Sequence, residues 1–179
     1  LLSGTLDRAN PDEVRAFLDR EPRSPLAESL RRDWLKMLGA SGDWERFRAE
    51  LPRYLGEDTE IACFALQDRM LRGDGEVAAE ARALFVTGRE APAACDPVFA
   101  AAIASGRIGE AEVWARIRKT LAASYLRDAK RASNLLPAAQ RIGDKLIDRV
   151  NTDPARYLTH EKSPRLSPAA REMVLFALE

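Results

Sequence analysis

The sequence predicts an all-α fold, a superhelical array of stacked helical hairpins. Three observations carry this. Apolar residues recur at helical spacing from Val14 onward. No segment shows the alternating β-branched pattern of a half-buried strand. Glycine breaks at Gly42, Gly73 and Gly106 lie 31 and 33 residues apart, each separating two helices. A period in the low thirties marks stacked hairpins, because one hairpin cannot cover its own apolar face and its neighbour must.

The elements follow in order. Asn10 caps a first helix with Pro11 in its opening turn, acids Asp12 and Glu13 at its positive end, and Val14, Phe17 and Leu18 as its stripe. The stretch Glu21-Pro22-Arg23-Ser24-Pro25 ends it. The next helix carries Leu26, Leu30, Trp34 and Leu38 at i+4 spacing with Met37 alongside, and stops at Gly39-Ala40-Ser41-Gly42. Asp43 caps a third, with Trp44, Phe47 and Leu51. Asp58 or Thr59 opens a fourth bearing Ile61, Phe64, Ala65 and Met70, closed by Gly73-Asp74-Gly75. Val77, Ala81, Leu84 and Phe85 mark its partner, ending at Gly88. Asp96-Pro97 starts a helix with Val98, Phe99 and Ile103, and Glu110 to Leu121 follows with Val113, Trp114 and Ile117. Ser124 to Asn134 and Ala138 to Val150 read as a further pair split by Pro137. A break at Asn151-Thr152-Asp153-Pro154 leads through a short turn to His160. Glu161 to Pro168 is a polar loop, and Ser167-Pro168 begins a last helix.

The repeat length is close to that of tetratricopeptide arrays, whose consensus is absent, so the likeness is in α-solenoid architecture. A chain of 179 residues can bury a sizeable core. The opening Leu1-Leu2-Ser3-Gly4 has no starting Met, and the closing Val174 to Glu179 reads as mid-helix, so 1–179 is expected to be a partial domain cut at both ends. Its 28 basic and 28 acidic side chains balance, which argues against a nucleic-acid partner. No apolar run is long enough to span a bilayer.

Candidate chemistry is sparse. Cys63 and Cys95 form a disulfide or pack as two buried thiols; spacing alone leaves both open. Two cysteines without nearby histidines make no zinc site, so no metal is expected. His160, the single histidine, reads as a solvated loop residue rather than a general base. No phosphate loop, dinucleotide fingerprint or nucleophile elbow appears, and no cofactor is expected. Glu28-Ser29 has the dipeptide that opens the motif of lysozyme-like transglycosylases, where a glutamate is acid and then base on a glycosidic bond. The accompanying Gly-Leu-Met-Gln is missing, and Glu28 falls on the side of its helix away from Leu30, so it reads as solvent-facing. Other charges, such as Arg46 with Glu50 or Glu76 and Glu80 near Arg82, read as paired surface decoration. One basic patch stands out: Arg116, Arg118, Lys119, Arg127, Lys130 and Arg131. Ordinary helix-surface charge is its preferred reading; an acidic polymer is the functional one.

From Asn10 onward the sequence resembles the superhelical, U-shaped domain of soluble lytic murein transglycosylases. The resemblance lies in Gly42-Asp43-Trp44, in Cys63-Phe64-Ala65, and above all in Ala83-Leu84-Phe85-Val86-Thr87-Gly88-Arg89 running into Pro92-Ala93-Ala94-Cys95-Asp96-Pro97. Phe85 stands where the family often has Trp. Trp114-Ala115-Arg116-Ile117-Arg118 adds a weaker match, and beyond Ala138 the likeness is only general. The resemblance implies a Cys63–Cys95 disulfide and a periplasmic protein. It implies a parent enzyme that cleaves the MurNAc–GlcNAc bond of peptidoglycan to 1,6-anhydro products through a lysozyme-like domain near its C-terminus. This chain would then be a non-catalytic part of a doughnut-like body that holds glycan strands, with that domain and those strands as partners. In that role the basic patch would face glycan. The competing expectation is a tetratricopeptide-like protein-interaction scaffold in the bacterial envelope.

Overall fold

The computed structural model describes residues 10–21, 24–160 and 166–178, and among these it has eleven α-helices, three short 3-10 turns and no strand. The fold class is the one expected: all-α, in helical hairpins. Leu1–Gly4, Glu179, the Pro22-Arg23 break and most of the polar loop, 161–165, lie outside the described residues.

The helices gather into two compact units. The first is Leu1–Gly75 with Pro92–Cys95; the second is Glu76–Ala91 with Asp96–Glu179. The chain therefore leaves the first unit after Gly75, returns to it for four residues, and leaves again at Asp96.

The first unit holds α1 (Pro11–Arg20), α2 (Pro25–Ser41), α3 (Trp44–Glu50) and α4 (Thr59–Leu71), with turns at Leu51–Arg53 and Ala93–Cys95. Side-chain caps set its helix starts. Asn10 Oδ1 accepts Asp12 N at 3.0 Å, Ser24 Oγ accepts Ala27 N at 3.0 Å, and Asp43 Oδ1 accepts Arg46 N at 3.3 Å. Helix α2 packs on α1, α3 and α4. Its buried face is Ala27, Arg31, Trp34, Leu35 and Leu38, whereas Leu26 is 53% exposed. A strict i+4 row drifts 40° per step around a helix, so the expected Leu26-Leu30-Trp34-Leu38 row slides off the core at its start. Phe47 is the hinge of an edge-to-face chain, 5.9 Å from Trp44 and 6.5 Å from Phe64 by ring centroids.

Gly39 sits inside α2 under the Phe64 ring. A Cβ there would lie 2.5 Å from Phe64 Cδ2 and 2.8 Å from its Cβ. Alanine would favour the helix, but the ring has to move. Gly39→Ala is expected to destabilise by about 2 kcal/mol, read as a lower urea midpoint with unchanged slope.

Asp58 joins a cap to an ion pair. Its Oδ1 accepts Glu60 N at 2.9 Å and Ile61 N at 3.3 Å, and Lys36 Nζ lies 2.7 Å from Oδ2. Burial pushes the carboxyl up, but Lys36 and the α4 amides outweigh it and hold it below the usual carboxylate range. A depressed folded value means the stabilisation is complete above the unfolded value of 3.8 and is lost as pH falls through the lower folded one. Asp58→Asn keeps the cap and loses the charge. It is expected to flatten the acid limb of a urea-midpoint profile taken from pH 6 down to about pH 2.5.

The second unit holds α5 (Val77–Val86), α6 (Asp96–Ala104), α7 (Glu110–Ala122), α8 (Leu126–Asn134), α9 (Asp144–Thr152), α10 (Pro154–His160) and α11 (Pro168–Leu178). Helix α5 packs on α6 and α7, α7 on α8 and α11, and α9, α10 and α11 pack on one another. Two boundaries differ from expectation. Ser124 is left-handed at φ 61° and closes α7, so α8 begins at Leu126. The expected Ala138–Val150 helix is a single turn at Ala138–Gln140 followed by α9. The cause is Ser133, fully buried, whose Oγ accepts Ile142 N at 2.7 Å and contacts Ile142 O at 3.2 Å, fixing an extended backbone before Gly143.

Candidate functional site

Arg116 lies in the apolar register of α7, between Val113 and Thr120, and is 2% exposed. Its guanidinium donates to Asp128 Oδ2 at 2.6 Å, to the Phe85 carbonyl at 2.6 Å and to the Arg89 carbonyl at 3.0 Å. The Phe85 and Phe99 rings lie 4.9 and 5.3 Å from its central carbon. Asp128 Oδ2 also accepts Ala91 N at 3.0 Å, and Arg131 bonds the Ala91 carbonyl. Burial pulls the Arg116 guanidinium below its ordinary range, with Asp128 opposing. Burial also pushes the nearby Asp96 carboxyl up against the pull of Arg131. The whole cluster fastens the Phe85–Ala91 stretch. Gly88 belongs to it: its φ is 67°, and a Cβ would meet the Lys119 side chain at 2.6 Å. The conspicuous Leu84-Phe85-Val86-Thr87-Gly88-Arg89 motif is thus a receptor for Arg116.

The six basic residues do not share one face. Arg116 is interior and lines no surface. Arg118 makes a bidentate pair with Glu172 at 2.8 and 2.6 Å, and Lys119 Nζ donates to the Val86 carbonyl at 2.8 Å. Lys130 binds Asp148 at 2.5 Å, and Arg131 lies 3.3 Å from Asp96. Arg127 is exposed.

Three further readings are corrected. Glu28 does not face solvent alone: Oε1 binds Arg31 at 2.5 Å and Oε2 accepts Leu55 N at 3.3 Å. Arg31, itself buried, also donates to Glu50 at 2.7 Å. Glu50 is therefore interior, while Arg46 pairs with Asp43 and Arg82 with Glu112. His160 sits at the end of α10 rather than in a loop, with Nδ1 2.8 Å from the Arg156 carbonyl. Among the described residues no group of three or more His, Cys, Asp or Glu side chains is gathered to hold a metal ion. None of their helices is long and apolar enough to cross a membrane.

Cys63 and Cys95 are disulfide-bonded, with Cα atoms 4.9 Å apart and both residues fully buried. The bond ties α4 to the Ala93–Cys95 turn, where Gln67 Nε2 also donates to the Ala94 carbonyl at 2.6 Å.

Sequence reasoning missed a groove of about 750 Å³ lined by α9 and α10: Lys145, Asp148, Arg149, Thr152, Asp153, Arg156, Tyr157 and His160. The i, i+4 pairs Lys145/Arg149 and Arg156/His160 were its signal, each aligning two nitrogen-bearing side chains on one helix face.

No protein-family model matches the chain. Curated proteins do. Over 166 residues it is 28% identical to the soluble lytic murein transglycosylase of Escherichia coli K12, covering 92% of this chain and 25% of that one. The protein of the same description from Salmonella typhimurium LT2 is 28% identical over 162 residues, with 89% and 25% covered. The chain is related to the soluble lytic murein transglycosylases. It spans about a quarter of the length of the transglycosylases it matches. Among solved structures, the lytic transglycosylase Slt of Pseudomonas aeruginosa, an inactive mutant, superposes with a TM-score of 0.58 at 26% identity, over 99% of this chain and 29% of that one. The 70-kDa soluble lytic transglycosylase of Escherichia coli gives 0.65 at 24%, over 98% and 28%, a likeness of fold. That 70-kDa transglycosylase has also been solved in complex with bulgecin A.

Proposed function

We propose that the chain is a non-catalytic helical segment of a lytic transglycosylase that cleaves the MurNAc–GlcNAc bond of peptidoglycan to 1,6-anhydro products. Its part is to hold glycan strands, while cleavage belongs to a lysozyme-like domain elsewhere in the parent protein. The observation that carries this reading is the relation, along nearly the whole chain, to one quarter of the murein transglycosylases. The state of Glu28 supports the non-catalytic part: both its oxygens are engaged by Arg31 and Leu55 N, so it has no free oxygen to serve as acid. A buried disulfide supports a periplasmic location, where thiols are oxidised.

The test is incubation of the purified chain with murein sacculi. The expected result is retention on sacculi without soluble product; release of 1,6-anhydromuropeptides would overturn the non-catalytic assignment.

A further inference from the structure

We propose that the groove between α9 and α10 is a carboxylate-binding subsite that engages the acidic groups of a peptidoglycan strand, an inference that rests on the function proposed above. Lys145 and Arg149 stand one turn apart on α9, and Arg156 and His160 one turn apart on α10; all four line the same groove. The two acids in the lining are already engaged. Asp148 is held by Lys130 at 2.5 Å, and Asp153 Oδ1 accepts Arg156 N at 3.0 Å as the cap of α10. Lys145, Arg149 and Arg156 make no ion pair among the described residues, in contrast to Arg48, Arg53, Arg82 and Arg118, which all do. Three cations with no ion pair among the described residues are therefore gathered around one concave surface, where they outnumber the one lining carboxylate without a lysine or arginine partner, Asp153, with Thr152 and Tyr157 in the same lining.

Such a surface repels cations and gives a neutral polymer no reason to choose it. It suits a carbohydrate that carries carboxylates, because two guanidinium groups can each take a carboxylate in a forked, charge-assisted bond. Sugar hydroxyls find further partners in the polar lining. A muramic-acid strand presents such groups as the carboxylates of its stem peptides or, on sugars without a peptide, as the lactyl carboxylate that the peptide would otherwise hold in amide linkage. Both have the same chemistry, and either fits this groove.

Fluorescence anisotropy with labelled, soluble, uncross-linked glycan strands tests this on the full chain. Arg149→Glu with Arg156→Glu should weaken binding about tenfold and leave the melting temperature unchanged, since both side chains are exposed. Arg127→Glu, exposed on α8 outside the groove lining, should bind as the unsubstituted chain does. Strands stripped of stem peptides lose the peptide carboxylates and expose the lactyl carboxylates freed from amide linkage. Binding retained by these strands shows that the sugar acid suffices for the site, and binding lost assigns it to the peptide. Undiminished binding by the double variant would overturn the groove alone, as would equal binding of neutral chitin hexamer. Equal binding of polyglutamate would reduce the site to general anion attraction and overturn the strand assignment. No binding of strands by the unsubstituted chain would remove the proposed function and the subsite together.

Discussion

Arg116→Met should lower the stability of the second unit by about 3–5 kcal/mol, because it leaves Asp128 buried without its principal counter-charge. For a chain of this size the melting temperature should fall on the order of 10 °C. The decisive comparison is the double variant Arg116→Met with Asp128→Leu. Removing both charges removes the uncompensated one, so the pair of substitutions should cost much less than the sum of the singles. Equal and additive losses would mean that Arg116 acts through packing against Phe85 and Phe99 rather than through charge. Amide exchange adds a local readout. Protection of Ala91 N, which donates to Asp128, should survive Arg116→Met better than Asp128→Leu.

Breaking the Cys63–Cys95 bond should cost roughly 3–4 kcal/mol, the loop-closure value for the sequence separation of 32. Paired Cys63→Ala and Cys95→Ala substitutions, followed by urea titration with and without reductant, measure it. The substituted chain should show no reductant dependence. The unsubstituted chain should move toward it only slowly at low urea, since both sulfurs are buried and exchange needs local opening. An unchanged midpoint after full reduction would show that packing around α4 and Gln67 already holds the turn without the bond.

Most of the helical frame was legible in local residues. Asn10, Asp43 and Asp58 each announce a helix start and each caps one, and Gly42, Gly88 and Gly106 all take the left-handed backbone their positions implied. These features are readable because their physics is confined to one or two turns of chain. What local reading lost was long-range charge. Arg31 and Arg116 look like surface residues by type, yet each occupies a core register. Their partners, Glu50 and Asp128, lie 19 and 12 residues away on other helices. The available signal was positional: a charge in line with Ala27 and Trp34, or with Val113 and Thr120, has no route to water and needs an internal partner. The groove was missed for a related reason. Each helix shows its own basic pair, but only packing places the two pairs on one concavity.

The four-residue return of the chain to its first unit has a practical meaning for anyone dividing this protein. Neither unit is a contiguous segment, so no single cut separates them cleanly. A fragment ending at Gly75 would carry Cys63 with its sulfur partner removed, an orphan thiol in an otherwise complete helix. Extending the fragment to Cys95 restores the bond but brings α5 along without α6 and α7, the helices that cover it. Expression of either piece should therefore expose a reactive sulfur in the first case or the apolar face of Val77, Ala81 and Phe85 in the second.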